Sequence, residues 1–567
     1  MRIASTFLML CAFAVSGPLR AQDDTVTRAM RDELDRSMKQ LQLENLGKPY
    51  FISYRVVDSE SVNVSGAFGA LSNSSEGRSR MFTVEVRVGD YKLDNTNFVS
   101  MNFDFSSMVQ VFNGTSQLPL EDDYKELRRQ MWLATDATYK KAVEDLSRKR
   151  AALENKVDTE EVADFTKESP AHTTVDAPPV HADRAQWETL ARSLSALFRQ
   201  MPDIYTSGVA FSAANSYIRY INSDGTSYTR REPRVTFNAH AATQAPDGTP
   251  LDDSVWLYAT ALDGIPPAGE LASRVRALGQ RLKDLRAAAP MENYNGPLLV
   301  EGDAAPQVFR ETFLPDLLGV RRPLMDNPSG MMMQQQTAQA ENPFLDRIGA
   351  RVLPEFLSVT DDATLAEYKK VALAGYCQVD EDGVPTRQVT LVDKGILKTL
   401  LTTRDPVRGI DHSSGSRHAG QAAPSNVFVT ADNGLSEAEL RAKFFDLVKQ
   451  RNKEFGIVVR RMRTSGHPLM VWKVYPDGRE ELVHGMQFSG LNTTAFKEIV
   501  AASKDLNIYT LEYRSQRLMG MFAMGDEGYA PVTLAVPSLL FEEVTLHKVR
   551  GETPKPPVAP HPYFDNK

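Results

Sequence analysis

Val26, Met30, Leu34, Met38 and Leu41 recur at helical spacing until Gly47-Lys48-Pro49 breaks the pattern, which predicts an amphipathic helix over residues 26–46. The texture then switches to a period of two. Phe82, Val84, Val86 and Val88 alternate with Thr83, Glu85 and Arg87, and with residues 51–57 they predict strands of a sheet that buries one face. Residues 121–156 are charged but keep Tyr124, Leu127, Met131 and Ala134 on one face, predicting one or two helices. A Pro/Thr/Ala-rich stretch over 166–183 predicts an exposed loop carrying His172 and His181. A helix over 185–200, strands between 204 and 262 turning at Asp224-Gly225, and a helix over 268–289 follow.

Beyond Pro290 strands dominate. Residues 297–301 and 352–359 read as strands, 389–401 as a hairpin turning at Lys394-Gly395, and 470–483 as one turning at Asp477-Gly478. Helices are expected over 303–318, 436–450 and 493–503. The first has Asp303 as its cap, Pro306 in its first turn, Phe309, Phe313 and Leu317 on a core face, and a kink at Pro315. From Met325 to Glu341 there is no periodicity, and this Met/Gln-rich stretch reads as a flap over a peptide-sized cleft, its unbranched thioethers adapting to varied side chains. The proline-rich tail at 554–562, with His561, is expected to lie extended over the surface.

The N-terminus changes the picture of where the chain works. Met1-Arg2, an apolar run over 3–15 and Leu19-Arg20-Ala21 read as a secretory leader cut near Ala21, giving a periplasmic or secreted protein. The run is too short for a membrane span, which takes about 20 apolar residues. Removing the leader leaves Cys377 as the one cysteine, so core packing rather than a disulfide must hold the fold. With 65 basic against 73 acidic residues the formal net charge is -8 and no basic cluster stands out, which excludes nucleic acid as a partner class.

Searches for common chemistry are empty: no phosphate-binding Gly-rich loop, no Gly-x-Ser-x-Gly elbow, no Cys-x-x-Cys and no His-Glu-x-x-His. Asp411, His412 and His418 share a Ser/Gly-rich loop and offer two imidazoles and a carboxylate to a metal, though without the compact helical spacing of zinc motifs. Cys377 reads as a buried small hydrophobe.

Four segments of the second half form a recognisable series. They are Asp380-Glu381-Asp382-Gly383-Val384-Pro385, Val389 through Leu397, the loop over 413–420, and Ala423-Pro424-Ser425-Asn426-Val427-Phe428-Val429. With Phe488-Ser489-Gly490-Leu491-Asn492 and Val536-Pro537-Ser538-Leu539-Leu540, their order and spacing resemble the TldD/PmbA family over most of 296–549. The resemblance implies an N-terminal α/β domain and a C-terminal antiparallel, β-barrel-like domain. It also implies zinc peptidases that act on extended peptides, often as a pair of one active and one inactive subunit.

Active members carry His-Glu-x-x-x-His on a helix and a cysteine near the C-terminus. Both imidazoles hold zinc while the glutamate activates water. Positions five apart differ by about 500° on an ideal helix, so a local widening must aim both inward. Here the glutamate matches Glu311, but the first histidine is Arg310, a cation without a lone pair, and the second is Pro315, with no ligand atom. The cysteine of a Gly-Met-Cys run is replaced by Phe522 in Gly520-Met521-Phe522. Glu311 is expected to pair with Arg310 as a relic of the general base.

The reading is therefore an α+β chain: a leader over 1–21, an N-terminal α+β domain over 22–290, a β-rich domain over 291–549 and a tail over 550–567. It is expected to be an exported subunit without cofactor that binds unfolded or extended peptides, as a homodimer or a heterodimer with a homologue. The alternatives are a peptidase using a zinc relocated to Glu311, Asp411, His412 or His418, and a structural envelope-assembly protein.

Overall fold

The computed structural model describes residues 24–43, 47–99, 114–154, 162–321, 323–325, 342–463, 467–514 and 529–549, with residues 557, 559 and 561–564 of the tail. The leader, nearly all of the Met/Gln stretch, and Phe522 lie outside these residues.

Helix α1 (Thr25–Gln40) ends at Leu41, short of the expected 46. Strands β1 (Pro49–Ala67) and β2 (Ala70–Val88) form a hairpin of 19-residue strands, far longer than the apolar alternation alone marks, because their middle is Ser, Asn and charge. A short β3 (Thr115–Gln117) extends that edge before the single 31-residue helix α2 (Tyr124–Glu154). Next come β4 (His172–Val175), α3 (Arg184–Ser195), the strands β5 (Thr206–Asn222), β6 (Ser227–Gln244) and β7 (Pro250–Ala259), and α4 (Ala268–Ala287). The sheet order is β3-β2-β1-β5-β6-β4, with β7 also pairing β6. The expectation of a loop over 166–183 fails at His172. There the chain pairs parallel with Ser227–Arg230 of β6, and the His172 ring bonds the Ser227 hydroxyl at 2.9 Å.

One face of this sheet carries two helical layers. Ile52, Tyr54 and Val56 pack under α1 and α2, while Val64, Phe211 and Phe237 pack under α3 and α4.

The second sheet comprises β8 (Ala289–Pro290), β9 (Tyr294–Val300), β10 (Leu357–Asp362), β11 (Gln388–Asp393), β12 (Ile396–Leu397), β13 (Asn426–Ala431), β14 (Gly456–Met462), β15 (Pro468–Val474), β16 (Glu480–His484), β17 (Met486–Ser489), β18 (Ile499–Arg514) and β19 (Tyr529–Lys548). Its order is β12-β11-β10-β13-β19-β9-β14-β15-β16-β8, and β17 and β18 also pair β19. The sheet curls around α5 (Ala304–Thr312), so that Leu391 and Val392 from one arm and Val459 and Val471 from the other share one core with Phe309 and Phe313. A last helix, α6 (Glu437–Gln450), starts at Ser436 with a capping box to Glu439, as the sequence pattern predicts. The fold is α+β, as read from the sequence. Among the described residues no helix is long and apolar enough to cross a membrane.

Two expectations about elements fail for physical reasons. The helix expected over 493–503 forms only in its first half: Asn492 caps a short 3-10 helix, Thr493–Glu498, and Ile499 to Ala502 then pair with Phe541 to Leu539 of β19. Residues 352–356 are not strand, because Val352 and Leu353 both give their N–H to the Gly395 carbonyl, at 2.8 and 3.2 Å. That packing requires glycine: a Cβ on Gly395, whose φ is +78°, would lie 2.3 Å from the Leu353 carbonyl oxygen.

The two sheets are joined through buried charge. Arg87 of β2 is 1% exposed and binds Glu85 at 2.6 Å, Asp94 at 3.0 Å and, from the second half of the chain, Asp405 at 2.9 Å. Arg404 reaches back to Asp224 and the Thr166 carbonyl, at 2.8 and 2.7 Å. The two guanidiniums lie 3.6 and 3.9 Å from the ring centroid of Phe165. Removing one member of such a network strands buried charge, so Arg87→Ala is expected to cost about 3–5 kcal/mol. Arg78→Ala, at a surface pair with Glu60, should cost under about 1 kcal/mol. Equilibrium urea unfolding measures both; equal small losses would refute the junction's role.

Candidate functional site

The residues matched to the family's catalytic helix lie at the C-terminal end of α5. Residues Ala304 through Phe309 are buried in the curled sheet, and the helix surfaces only at Arg310, Glu311 and Thr312. Arg310 and Glu311 form an ion pair, with side chains 29% and 34% exposed. The helix does not kink at Pro315, as expected, but stops three residues before it. Proline has no N–H for the Glu311 carbonyl and disfavours helical backbone in the residue before it, so Leu314–Leu317 form a separate tight turn. Arg310 and Pro315 are therefore on different elements. Asp303 is not a hydrogen-bonding cap either; its carboxylate turns 2.8 Å to Arg461.

Strand β18 faces this helix end with residues that sequence reading missed. Burial pushes the Tyr513 phenol up to about 12, with Arg310 opposing and Glu311 reinforcing the shift. Tyr509 is pushed up by burial too, within the field of Arg310, Arg461, Asp303 and Asp253. Arg461 of β14 crosses to the first sheet, binding Asp253 of β7 at 2.7 Å and the Ser254 carbonyl at 2.5 Å. Asp253 also takes Arg281 of α4 at 2.7 Å. The signal was present in the sequence: Tyr509, Leu511 and Tyr513 alternate, and Arg461 follows Arg460 in a strand of otherwise apolar character.

The alternative metal candidates do not gather. His412 is exposed beside Asp411 at 3.3 Å, whereas His418 is enclosed on a two-residue ladder with Gln421. Burial, with Arg230 adding to it, pushes the His418 imidazole down to about 4. Among the described residues no three His, Cys, Asp or Glu side chains come together in a way that could hold a metal. Cys377 is held as a polar group rather than a small hydrophobe. Its thiol bonds the Val379 carbonyl at 2.7 Å and takes Arg230 at 3.0 Å, and burial raises its pKa.

A family profile described as the PmbA/TldA metallopeptidase C-terminal domain matches residues 320–548. That stretch of the chain is of the TldD/PmbA type. A metalloprotease of Methanocaldococcus jannaschii is 34% identical over 73 residues, an alignment spanning 13% of this chain and 15% of that relative. The fold is shared with TldE from Thermococcus kodakarensis, at 13% identity and a TM-score of 0.55 over 92% of this chain and 100% of that one. A Thermotoga maritima protein described as a candidate modulator of a DNA gyrase superposes at 13% identity and a TM-score of 0.56, over 91% of this chain and 99% of that one.

Within this chain the segments that carry the resemblance are structural staples. Asp380 accepts the N–H groups of Asp382 and Val384 at 2.9 Å and of Arg417 at 3.1 Å. Glu381 accepts those of Ala419 and Gly420, tying the acidic turn to the 413–420 loop. Asp361 accepts the Ser425 N–H and hydroxyl at 2.9 and 2.6 Å, and Asn426 spans Gly375, Asp362 and Leu365. These are buried polar groups satisfied by one another. The zinc of the family's peptidases does not fit the helix end, where the donor set is a guanidinium, a carboxylate engaged by it, and a proline.

The enclosed imidazole gives a pH prediction. The folded state holds His418 neutral to about pH 4 while an unfolded one protonates near 6.5, so its contribution is present above 6.5 and lost as pH falls toward 4. Relative to His418→Gln, the chain should lose about 3 kcal/mol between pH 7.5 and 4. Parallel urea curves of the two proteins across that range would refute it.

Proposed function

We propose that the mature chain is an exported, non-catalytic TldD/PmbA-type subunit that binds extended peptides and partners a homologue competent for hydrolysis. The observation that carries this reading is the ion pair of Glu311 with Arg310 on a helix that ends at Thr312. A general base must hold the water it activates, and here the Glu311 carboxylate is occupied by the neighbouring guanidinium. Peptide capture is supported by the open edges of the second sheet, where an added strand gains main-chain hydrogen bonds without demanding a sequence. Export rests on the leader-like run over 1–21, and pairing on what family resemblance implies.

The test uses the purified mature chain and a fluorescein-labelled unstructured peptide. Binding should appear by anisotropy with no new peptide termini by mass spectrometry, and Glu311→Gln should keep affinity within about twofold, since ground-state binding does not need the base. Stoichiometric zinc together with cleavage that Glu311→Gln abolishes would establish an active peptidase instead.

A further inference from the structure

Strand β11 is paired with β10 on one side, from Val359↔Val392 to Asp362↔Gln388. On its other side β12 covers only Val392 and Asp393, and one more bond runs from the Lys398 N–H to the Leu391 carbonyl at 2.8 Å. The β10–β11 pairing shifts register between Val392 and Thr390, and Val389, opposite Asp361, turns its main chain to β10, so it is Thr390 and Gln388 that present their N–H and C=O on this open edge. The chain after Lys398 diverges from the edge, and the opening is a cavity of about 450 Å³ lined by Arg387, Val389, Lys398, His412 and hydroxyls including Thr402 and Ser414. The lining carries two cations, Arg387 and Lys398, and the His412 imidazole, which has Asp411 beside it at 3.3 Å. Lys398 reaches Asp393 only at 3.4 Å with both half-exposed, and Arg387 spends one nitrogen on the Ser413 carbonyl at 2.7 Å, leaving its other N–H donors for a ligand.

We infer that this edge seats an acidic, extended peptide segment, its backbone adding to β11 at Thr390 and a carboxylate lying between Arg387 and Lys398. The inference rests on the peptide-binding reading and adds a place and a charge preference to it. Backbone pairing supplies register, and the charge-assisted bonds supply selectivity.

The experiment compares three labelled peptides on the full mature chain: an unstructured peptide with a central Glu-x-Glu, its Gln-x-Gln counterpart, and the acidic peptide N-methylated at the residue between the two glutamates. The acidic peptide should bind at least about tenfold more tightly than the amide version. Arg387→Ala with Lys398→Ala should erase that difference while leaving the amide peptide's affinity unchanged, with thermal unfolding confirming that the variant folds. N-methylation should weaken binding severalfold. Equal affinity for acidic and amide peptides, or a preference that survives the double substitution, overturns the inference while the peptide-binding reading stands. An unaffected N-methylated peptide overturns the strand-addition geometry. Failure of all three peptides to bind overturns both.

Discussion

The architecture depends on charge buried between its two sheets, beside the apolar contacts of Leu469 and Val379 with the first sheet. Phe165 lies between the guanidiniums of Arg87 and Arg404, one from each half of the chain, and each arginine takes a carboxylate from the opposite half. Cations desolvated over an aromatic face are held more strongly than at the surface, and the planar fork lets one arginine bind several oxygens at once. Lys149 and Arg321 extend the junction through Asp164, at 2.5 and 3.1 Å. A junction of this kind specifies one docking geometry, since sliding the sheets would leave several buried charges unpaired.

The sequence disclosed much of this fold and little of the junction. Helical periodicity located α1, α3, α4 and α6 to within a few residues, since each buries one stripe against a sheet. The Lys394-Gly395 turn was legible because both residues need positive φ, at 47° and 78°. Strand lengths were not: the outer parts of β1 and β2 are polar on both faces, so alternation vanishes although pairing continues. Nor was the fate of 493–503, where cross-strand partners on β19 override a helix-like apolar spacing. Charge pairing across hundreds of residues leaves no local trace at all.

For the site, the sequence located the helix end with Arg310 and Glu311 but not what surrounds it. Tyr509, Tyr513, Arg461 and Asp253 meet there only because β18, β14 and β7 converge. The segments that made the family recognisable lie in the interlocked turns around Asp380 and Asp361. The fold and its signature therefore do not depend on the chemistry of the helix end, because the residues that build the scaffold and those at Arg310, Glu311 and Pro315 are different sets.

Strand β19 has one more consequence. It pairs with β9, β13, β17 and β18, parallel to one and antiparallel to three, so four separate stretches of the chain wait for the last strand described. On a ribosome, the long hairpins of the first sheet can close as soon as they emerge, whereas the curled sheet around α5 has no axis until Tyr529–Lys548 has been made. Until then that helix lacks one of the strands it packs on, although the strands before it are already made. The newly made second half is thus held open by its own topology, a state in which holdase chaperones have both the time and the exposed surface to engage it.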